Sequence, residues 1–235
     1  MANKIPLILT RPDGANSAFM ADFPKSLADC LTFIESPLIA IQSMEAEAAI
    51  EEYAAVLFTS VNGVRFAPPS MGRKAYCVGV RTTQAATSAG WVAICVGQNA
   101  DEMVKTLVDA RPADALCHLS GVHVRGRIVE RLKEAGLIAR RVALYDQILL
   151  PLSPAANSAI KSQKLVIVPL FSPRAATHFA AVSPVNPRLQ VVTMSGAITN
   201  ALENNSIFEA ITAPEPTADA VIGCIEKLVS TKGLG

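Results

Sequence analysis

Hydroxyl-bearing residues lie where predicted strands give way to predicted helices. Such corners occur at five places along the chain: Thr59-Ser60, Thr82-Thr83, Ser120-Gly121, Phe171-Ser172 and Gly196 to Thr199. In an open parallel sheet, ligands bind beyond the carboxyl ends of the strands, where helix N-termini present free N–H groups and partial positive charge. We therefore expect these corners to bind anions, although each hydroxyl can also serve only as a helix N-cap.

Arginines accompany several of these corners. Guanidinium groups pair with carboxylates through two parallel hydrogen bonds, so a ligand rich in carboxylates could be bound by them. For any single arginine, a solvated surface position is the alternative. The arginines in question are Arg11, Arg65, Arg81, Arg125, Arg127 and Arg174.

Tyr145 is a candidate for acid catalysis because of its phenol. It lies in a predicted strand, 141–150, which Pro151 stops. A phenol keeps its proton at neutral pH and can donate it to a departing hydroxyl group. Aromatic residues on strands also simply pack against their neighbours. From the residue pattern alone, packing is the favoured role of Tyr145.

Familiar catalytic and metal-binding motifs are absent from the sequence. Gly121 to Gly126 has the spacing of a phosphate loop, but Arg127 and Ile128 replace the required lysine and hydroxyl residue. No dinucleotide-binding glycine motif and no nucleophile elbow occurs. His118 and His123 are spaced poorly for a metal. We therefore expect neither a cofactor nor a metal.

The elements that must position these residues are short β-branched runs that alternate with helical stretches. This alternation predicts an α/β protein with parallel sheets covered by helices. Ten strands are predicted, in two groups of five: 6–10, 31–41, 55–59, 74–79, 91–96, 115–120, 141–150, 165–171, 189–194 and 207–212.

An internal repeat predicts how these strands divide into lobes. Three segments recur in order after roughly 115 residues: 57–64 as 169–176, 77–82 as 194–199, and more weakly 99–103 as 217–221. If one copy is inserted into the other, residues 1–34 and 151–235 form a discontinuous first lobe and residues 42–143 a second. Segments 35–41 and 144–150 then form a two-stranded connecting ribbon that acts as a hinge. Pro37 fits a ribbon but not a central strand.

Composition limits the class of partner. The 235 residues are 51% hydrophobic. The 21 Lys and Arg residues against 20 Asp and Glu give a net charge of +1, which is too small to produce the positive electrostatic field of a nucleic-acid-binding protein. The longest early apolar run, Ile5–Leu9, is too short for a signal peptide or a membrane span. We expect a cytoplasmic protein without membrane partners. Its five scattered cysteines are typical of reduced core residues.

Taken in order, these motifs resemble those of the uroporphyrinogen-III synthase family. The resemblance spans nearly the whole chain, and it departs at Ala67-Pro68-Pro69, which shortens a helix, and at Ser195, where an apolar residue is usual. The matching pieces are Thr10-Arg11-Pro12, Ser36-Pro37-Leu38, 58–64, Val78-Gly79 with Thr82, Ser120-Gly121 before Arg125 and Arg127, Leu144-Tyr145, Phe171-Ser172-Pro173, Gly196 with Thr199, and Pro216-Thr217.

The resemblance implies two flavodoxin-like lobes and a cofactor-free reaction. Linear hydroxymethylbilane, a tetrapyrrole polycarboxylate, loses its hydroxyl group and closes to uroporphyrinogen III with inversion of the last pyrrole ring. Tyr145 is implied as proton donor, and Ser60, Thr82, Ser172 and Thr199 as carboxylate-binding residues of the cleft. The corners and arginines add Thr59, Ser120, Gly196, Arg11 and Arg125 to the candidate binding residues. We expect a monomer. Whether it makes a transient contact with the preceding enzyme of the pathway is left undecided by the sequence.

Two other functions share this architecture. A non-catalytic bilobal protein that binds an acidic small molecule would have the same lobes, hinge and corners, and a catalytic assay separates it from an enzyme. A sugar-nucleotide transferase also pairs two parallel-sheet lobes. It would be expected to carry an Asp-x-Asp element or a glycine-rich loop, and the sequence has neither.

Overall fold

The computed structural model describes residues 4–12, 14–45, 53–124, 126–203 and 209–232. Their strands are β1 (Ile5–Leu9), β2 (Leu31–Glu35), β3 (Ile39–Ser43), β4 (Ala55–Phe58), β5 (Lys74–Val78), β6 (Val92–Gly97), β7 (Leu116–Gly121), β8 (Ala139–Leu149), β9 (Val166–Leu170), β10 (Leu189–Thr193) and β11 (Glu209–Thr212). Their helices are α1 (Ala15–Ala21), α2 (Lys25–Ala28), α3 (Val61–Arg65), α4 (Val80–Ser88), α5 (Ala100–Ala110), α6 (Ile128–Glu134), α7 (Pro154–Lys161), α8 (Pro173–Val182), α9 (Gly196–Glu203) and α10 (Ala218–Lys232). None of the helices in these ranges is both long and apolar enough to cross a bilayer.

The chain divides into two compact units, and the first comprises Met1–Ala40 with Ile148–Gly235. Its sheet has the order β2-β1-β9-β10-β11, with parallel pairing throughout. This is the flavodoxin-like order, in which helices cover both faces of the sheet. Successive side chains of a strand point to opposite faces, so Leu7 packs with α1 and α10 while Ile8 packs with α7, α8 and α9.

The second unit comprises Ile41–Gln147. Its sheet has the order β8-β7-β4-β5-β6, with β3 added beyond β8. If β7 and β8 are counted as the first and second strands, and β4, β5 and β6 as the third to fifth, this is the same flavodoxin-like order. In the chain, however, the third strand comes first. The second sheet is therefore a circular permutation of the first. Val56 and Phe58 pack with α3 and α4 on one face, and Leu57 packs with α5 and α6 on the other. The predicted fold class, α/β with two parallel-sheet units, is confirmed.

The single strand predicted over residues 31–41 is wrong, because the segment forms two strands, β2 and β3, in different sheets. Pro37 lies between them and has no N–H to continue a ladder. Glu35 still pairs with Leu9 in the first sheet, so it is not part of a ribbon as predicted. The pairing with β8 begins instead at Leu38, whose carbonyl accepts from the Leu150 N–H at 2.9 Å.

The two unit boundaries fall inside β3 and β8. At the other end of this strand pair the Met44 N–H donates to the Leu144 carbonyl at 2.8 Å, so the two strands run antiparallel. The predicted lobe limits and the hinge role of the ribbon stay predictions.

The internal repeat reappears as equivalent helix caps. Ser60 and Ser172 each accept the N–H three residues later, at 3.1 and 3.2 Å, and so cap α3 and α8. Asn99 caps α5 in the same way at 2.9 Å, and Thr217 accepts an N–H at 3.2 Å at the start of α10. Helix α3 has five residues and α8 has ten, which agrees with the shortening predicted from Pro68-Pro69.

The cysteines are all free, and Cys77, Cys117 and Cys224 are buried. Burial raises the pKa of Cys77 and Cys117 to about 11, so these thiols stay protonated and unreactive at neutral pH. Cys30 and Cys95 are exposed, contrary to the predicted core position. Cys95 lies on the edge strand β6, in which only Val96 is buried.

Candidate active site

A cavity of about 310 Å³ lies in the second unit, beyond the carboxyl ends of its central strands. Residues at the ends of β4, β5 and β7 line it, together with part of β8 and the first turns of α5 and α6. This is where ligands bind in open parallel sheets. The polar residues of its wall are Thr59, Ser60, Ser120, His123, Tyr145 and Gln147.

Tyr145 and Ser60 join two walls of the cavity. The Tyr145 hydroxyl lies 3.0 Å from Ser60 Oγ, which also accepts the Gly63 N–H at 3.1 Å. Besides the lone pair that accepts this N–H, Ser60 Oγ has a proton and a second lone pair, so either hydroxyl can donate in the contact with Tyr145. The ring of Tyr145 packs at 5.5 Å from that of Phe66 and is only 5% exposed. Its hydroxyl is therefore held in one place at the cavity.

Gly121 makes room for the Tyr145 ring. The pairing of β7 with β8 shifts by one residue between Ser120 and Gly121, so that Gly121 lies opposite Tyr145 rather than Leu144. A Cβ on Gly121 would lie 2.6 Å from Cε2 of the tyrosine. The contact of Gly121 with Tyr145 was not predicted from the sequence, because a contact across strands leaves no local signal.

His118 lies behind the cavity wall and supports Thr59. Its Nε2 is 3.2 Å from Thr59 Oγ1, and the ring is 2% exposed. Burial, and secondly the positive charge of Arg141, lower the pKa of His118 to about 4. The imidazole is therefore neutral at pH 7. It was considered in the sequence only as a metal ligand.

The stability of the protein should fall on mild acidification because of His118. The unfolded imidazole takes up a proton near its ordinary pKa of 6.5, whereas the folded one does so only near 4. Between these values the unfolded state binds more protons, so the free energy of unfolding decreases as the pH falls. From pH 7 to pH 5 this amounts to about 2 kcal/mol. Urea unfolding of wild type and His118→Asn at both pH values measures it. An equal pH dependence in the two proteins would contradict the assignment.

A second histidine, His123, lies on the cavity wall itself. Its Nε2 is 3.4 Å from Oδ1 of Asp146, which also accepts the Gln147 N–H at 2.7 Å. Asp146 does not line the cavity. The pair was not predicted from the sequence. Its signal was weak, a histidine two residues beyond the Gly121 corner and an aspartate next to Tyr145.

Not all predicted site residues of the second unit meet at the cavity. Thr59, Ser60, Ser120 and Tyr145 line it, and Ser120 Oγ donates to the Gly121 carbonyl at 3.1 Å. Thr82 does not line it, because it is buried within α4. Arg125 lies outside the described residues.

The predicted residues of the first unit lie at the carboxyl ends of its own strands. The guanidinium of Arg11 stacks 4.6 Å from the centre of the Phe171 ring, next to the cap residue Ser172. Thr199 Oγ1 lies 2.6 Å from Thr193 Oγ1 and 2.7 Å from Thr212 Oγ1.

Gly196 begins α9, and a Cβ on it would meet no atom within 4 Å. The fold itself therefore does not require glycine at this position.

Within the described ranges, no group of three or more His, Cys, Asp or Glu side chains is arranged to hold a metal ion. The polar groups of the cavity wall are hydroxyls, one amide, one imidazole and one phenol. Such a set can bind carboxylates and exchange protons.

A family model of sequences and the solved structures of similar fold both point to the same family. The family model described as uroporphyrinogen-III synthase HemD matches residues 30–223. No curated protein sequence matches the chain.

Among solved structures, the chain is similar to the uroporphyrinogen-III synthetase of Helicobacter pylori, with a TM-score of 0.70 and 13% identity over 96% of this chain and 100% of that one. It is also similar to a mutant uroporphyrinogen III synthase of Thermus thermophilus, with a TM-score of 0.53 and 12% identity over 96% and 99%. At these identities the structural likeness shows the fold, and the family match covers most of the sequence. The chain therefore belongs to the uroporphyrinogen-III synthase family.

Proposed function

We propose that this chain is a uroporphyrinogen-III synthase, a cyclising lyase of tetrapyrrole biosynthesis. Its substrate would be hydroxymethylbilane, and its products uroporphyrinogen III and water. The observation that carries the proposal, beside family membership, is the phenol of Tyr145, held at the cavity by Ser60 at 3.0 Å. A fixed phenol at a polar cavity suits proton donation to a leaving hydroxyl group.

In the proposed first step, the Tyr145 O–H protonates the hydroxyl group of the substrate. The C–O bond breaks with its electron pair on oxygen, which departs as water, and Tyr145 becomes a phenolate. Ser60 can donate its proton to that phenolate while still accepting the Gly63 N–H. A hydrogen bond to a charged group is stronger than a neutral one, so Ser60 would favour the ionised state formed in the reaction.

The remaining candidates are proposed to bind the substrate carboxylates. In the second unit these are Thr59, Ser60 and Ser120, which line the cavity, with Thr82 and Arg125 proposed from sequence alone. In the first unit they are Arg11, Ser172, Gly196 and Thr199. Binding of this kind would hold one conformation of a flexible substrate, and catalysis by fixed geometry needs no reactive group at each contact.

The proposal is tested by the product isomer. Purified protein is incubated with freshly made hydroxymethylbilane, and the porphyrins formed after oxidation are separated. Unaided closure gives the isomer without ring inversion, so accumulation of isomer III above the no-protein control supports the proposal. Retention of the linear substrate without its conversion would instead favour the alternative, a binding protein for acidic small molecules.

Turnover should survive removal of divalent metal ions. Among the residues that the structure describes, those of the cavity wall present hydroxyl, amide, imidazole and phenol groups and no carboxylate. We therefore expect the rate of isomer III formation after exhaustive dialysis against EDTA to equal that of untreated protein. A loss that a divalent metal restores would contradict this expectation.

Removing the Ser60 hydroxyl should lower both stability and turnover. Ser60→Ala takes away the N-cap of α3, which costs about 1 kcal/mol. It also removes the hydroxyl that contacts the Tyr145 oxygen at 3.0 Å, and we expect turnover to fall about tenfold. Asn99→Ala is the matched control, since Asn99 caps α5 of the same unit without lining the cavity. It should lose similar stability and keep its turnover; equal turnover losses would reduce Ser60 to a cap.

A further inference from the structure

The proposed reaction must return one proton for the one it consumes. Ring inversion moves the bridging methylene of the last pyrrole from one α carbon to the other, and that second α carbon carries a hydrogen. When the new C–C bond has formed there, the hydrogen must leave as a proton before the pyrrole regains its aromatic electrons. A group at the site has to accept it. This inference rests on the proposed function.

Few groups of the cavity can accept a proton at neutral pH. Hydroxyls and amides are too weakly basic, which removes Thr59, Ser60, Ser120 and Gln147. Among the described residues that line the cavity, His123 and Tyr145 are left as titratable side chains. Tyr145 is the proposed donor; the phenolate that it leaves, held by Ser60 at 3.0 Å, is the competing acceptor that the experiment below distinguishes from His123. Imidazole is the side chain suited to taking up a proton near neutral pH.

The surroundings of His123 fit this role. Its Nε2 faces Oδ1 of Asp146 at 3.4 Å, and the Gln147 N–H holds that same oxygen at 2.7 Å. When Nε2–H points to the carboxylate, Nδ1 keeps a free lone pair. The imidazolium that forms on proton uptake is then stabilised by the negative charge of Asp146. The side chain of His123 is 47% exposed, so it can pass the proton on to water.

We propose that His123, oriented by Asp146, is the proton acceptor of the final step. The C–H bond at the newly joined α carbon breaks, its electron pair returns to the pyrrole ring, and the proton moves to Nδ1 of His123. The imidazolium then releases this proton to solvent, and the Tyr145 phenolate takes one up. One proton is thus consumed and one released per turnover, and His123 is a catalytic residue while Asp146 positions it.

A kinetic isotope effect tests this assignment. Hydroxymethylbilane deuterated at the unsubstituted α carbon of its last ring is compared with ordinary substrate, using wild type, His123→Gln and Asp146→Asn. In His123→Gln, we expect isomer III formation to fall by about a hundredfold, the lower range for one positioned general base. The deuterium should slow this variant several-fold more than wild type, because removal of the ring proton becomes rate-limiting. Asp146→Asn should show the same change to a smaller degree.

Controls separate this role from a structural one. His178→Gln is the matched substitution, because His178 belongs to the first unit and contacts the Leu150 carbonyl at 2.8 Å. It should leave turnover and isotope effect unchanged. Unchanged turnover in His123→Gln, or a fall without an increased isotope effect, would overturn the assignment. The phenolate of Tyr145 would then be the proton acceptor. If wild type forms no isomer III at all, the proposed function fails, and this inference fails with it.

Discussion

Tyr145→Phe should lower the turnover of hydroxymethylbilane by about a hundredfold while the fold is kept. The substitution retains the ring and its packing against Phe66 at 5.5 Å, but it removes the proton that the side chain can donate. It also removes the hydrogen bond to Ser60, which costs about 1 kcal/mol. For a chain of this length, the melting temperature should fall by about 2–4 °C.

Tyr76→Phe is the matched control for this experiment. It makes the same chemical change in β5 of the same unit, at a residue that does not line the cavity. Its turnover should equal that of wild type. If Tyr145→Phe also retained full turnover at equal stability, Tyr145 would be a packing residue, and substrate binding would be the whole of catalysis.

Gly121→Ala should damage stability and turnover together. Its new Cβ would lie 2.6 and 2.8 Å from two atoms of the Tyr145 ring, so that ring must move. Overpacking of this kind costs about 1–3 kcal/mol. A displaced ring also moves the phenol away from Ser60, and turnover should fall at least tenfold because catalytic geometry tolerates little misplacement. Urea unfolding and the isomer assay measure the two effects.

Gly223→Ala is the control for Gly121→Ala. Gly223 lies in α10, and a Cβ there would meet no atom within 4 Å. Alanine favours a helix interior over glycine by about 1 kcal/mol, so this variant should be as stable as wild type or more so. A Gly121→Ala protein with unchanged stability and turnover would show that the Tyr145 ring adjusts without cost.

The sequence predicted the architecture well because sheet strands and helix caps are local features. Ser60 and Ser172 were recognised as repeated corners, and both are caps in the structure. The break in the segment 31–41 was harder to predict. Pro37 was visible, but whether the chain stays in one sheet or enters a second after it depends on pairing with Leu150, over a hundred residues away.

The site was predicted less completely than the fold. Tyr145 and Ser60 were named separately, yet their 3.0 Å contact joins β8 to the corner after β4 and has no sequence signal. The same holds for two other contacts between separate segments, which leave no sequence signal either: that of His123 with Asp146 and that of His118 with Thr59. Thr82 was named as a binding residue by the family resemblance, and in the structure it lies within α4 and does not line the cavity.

The insertion of the second unit into the chain of the first, between β2 and β9, has a consequence for synthesis on the ribosome. All strands of the flavodoxin-like order in the second unit come from one continuous stretch, so it can be completed while the chain is still growing. In the first unit, Leu7 of β1 pairs with Ile167 of β9, which is synthesised 160 residues later. At ordinary elongation rates the delay is roughly ten to thirty seconds. During that time β1 and β2 have an unpaired edge and uncovered apolar side chains. We therefore expect the nascent first unit to be the part of this protein most exposed to aggregation until β9 has been synthesised.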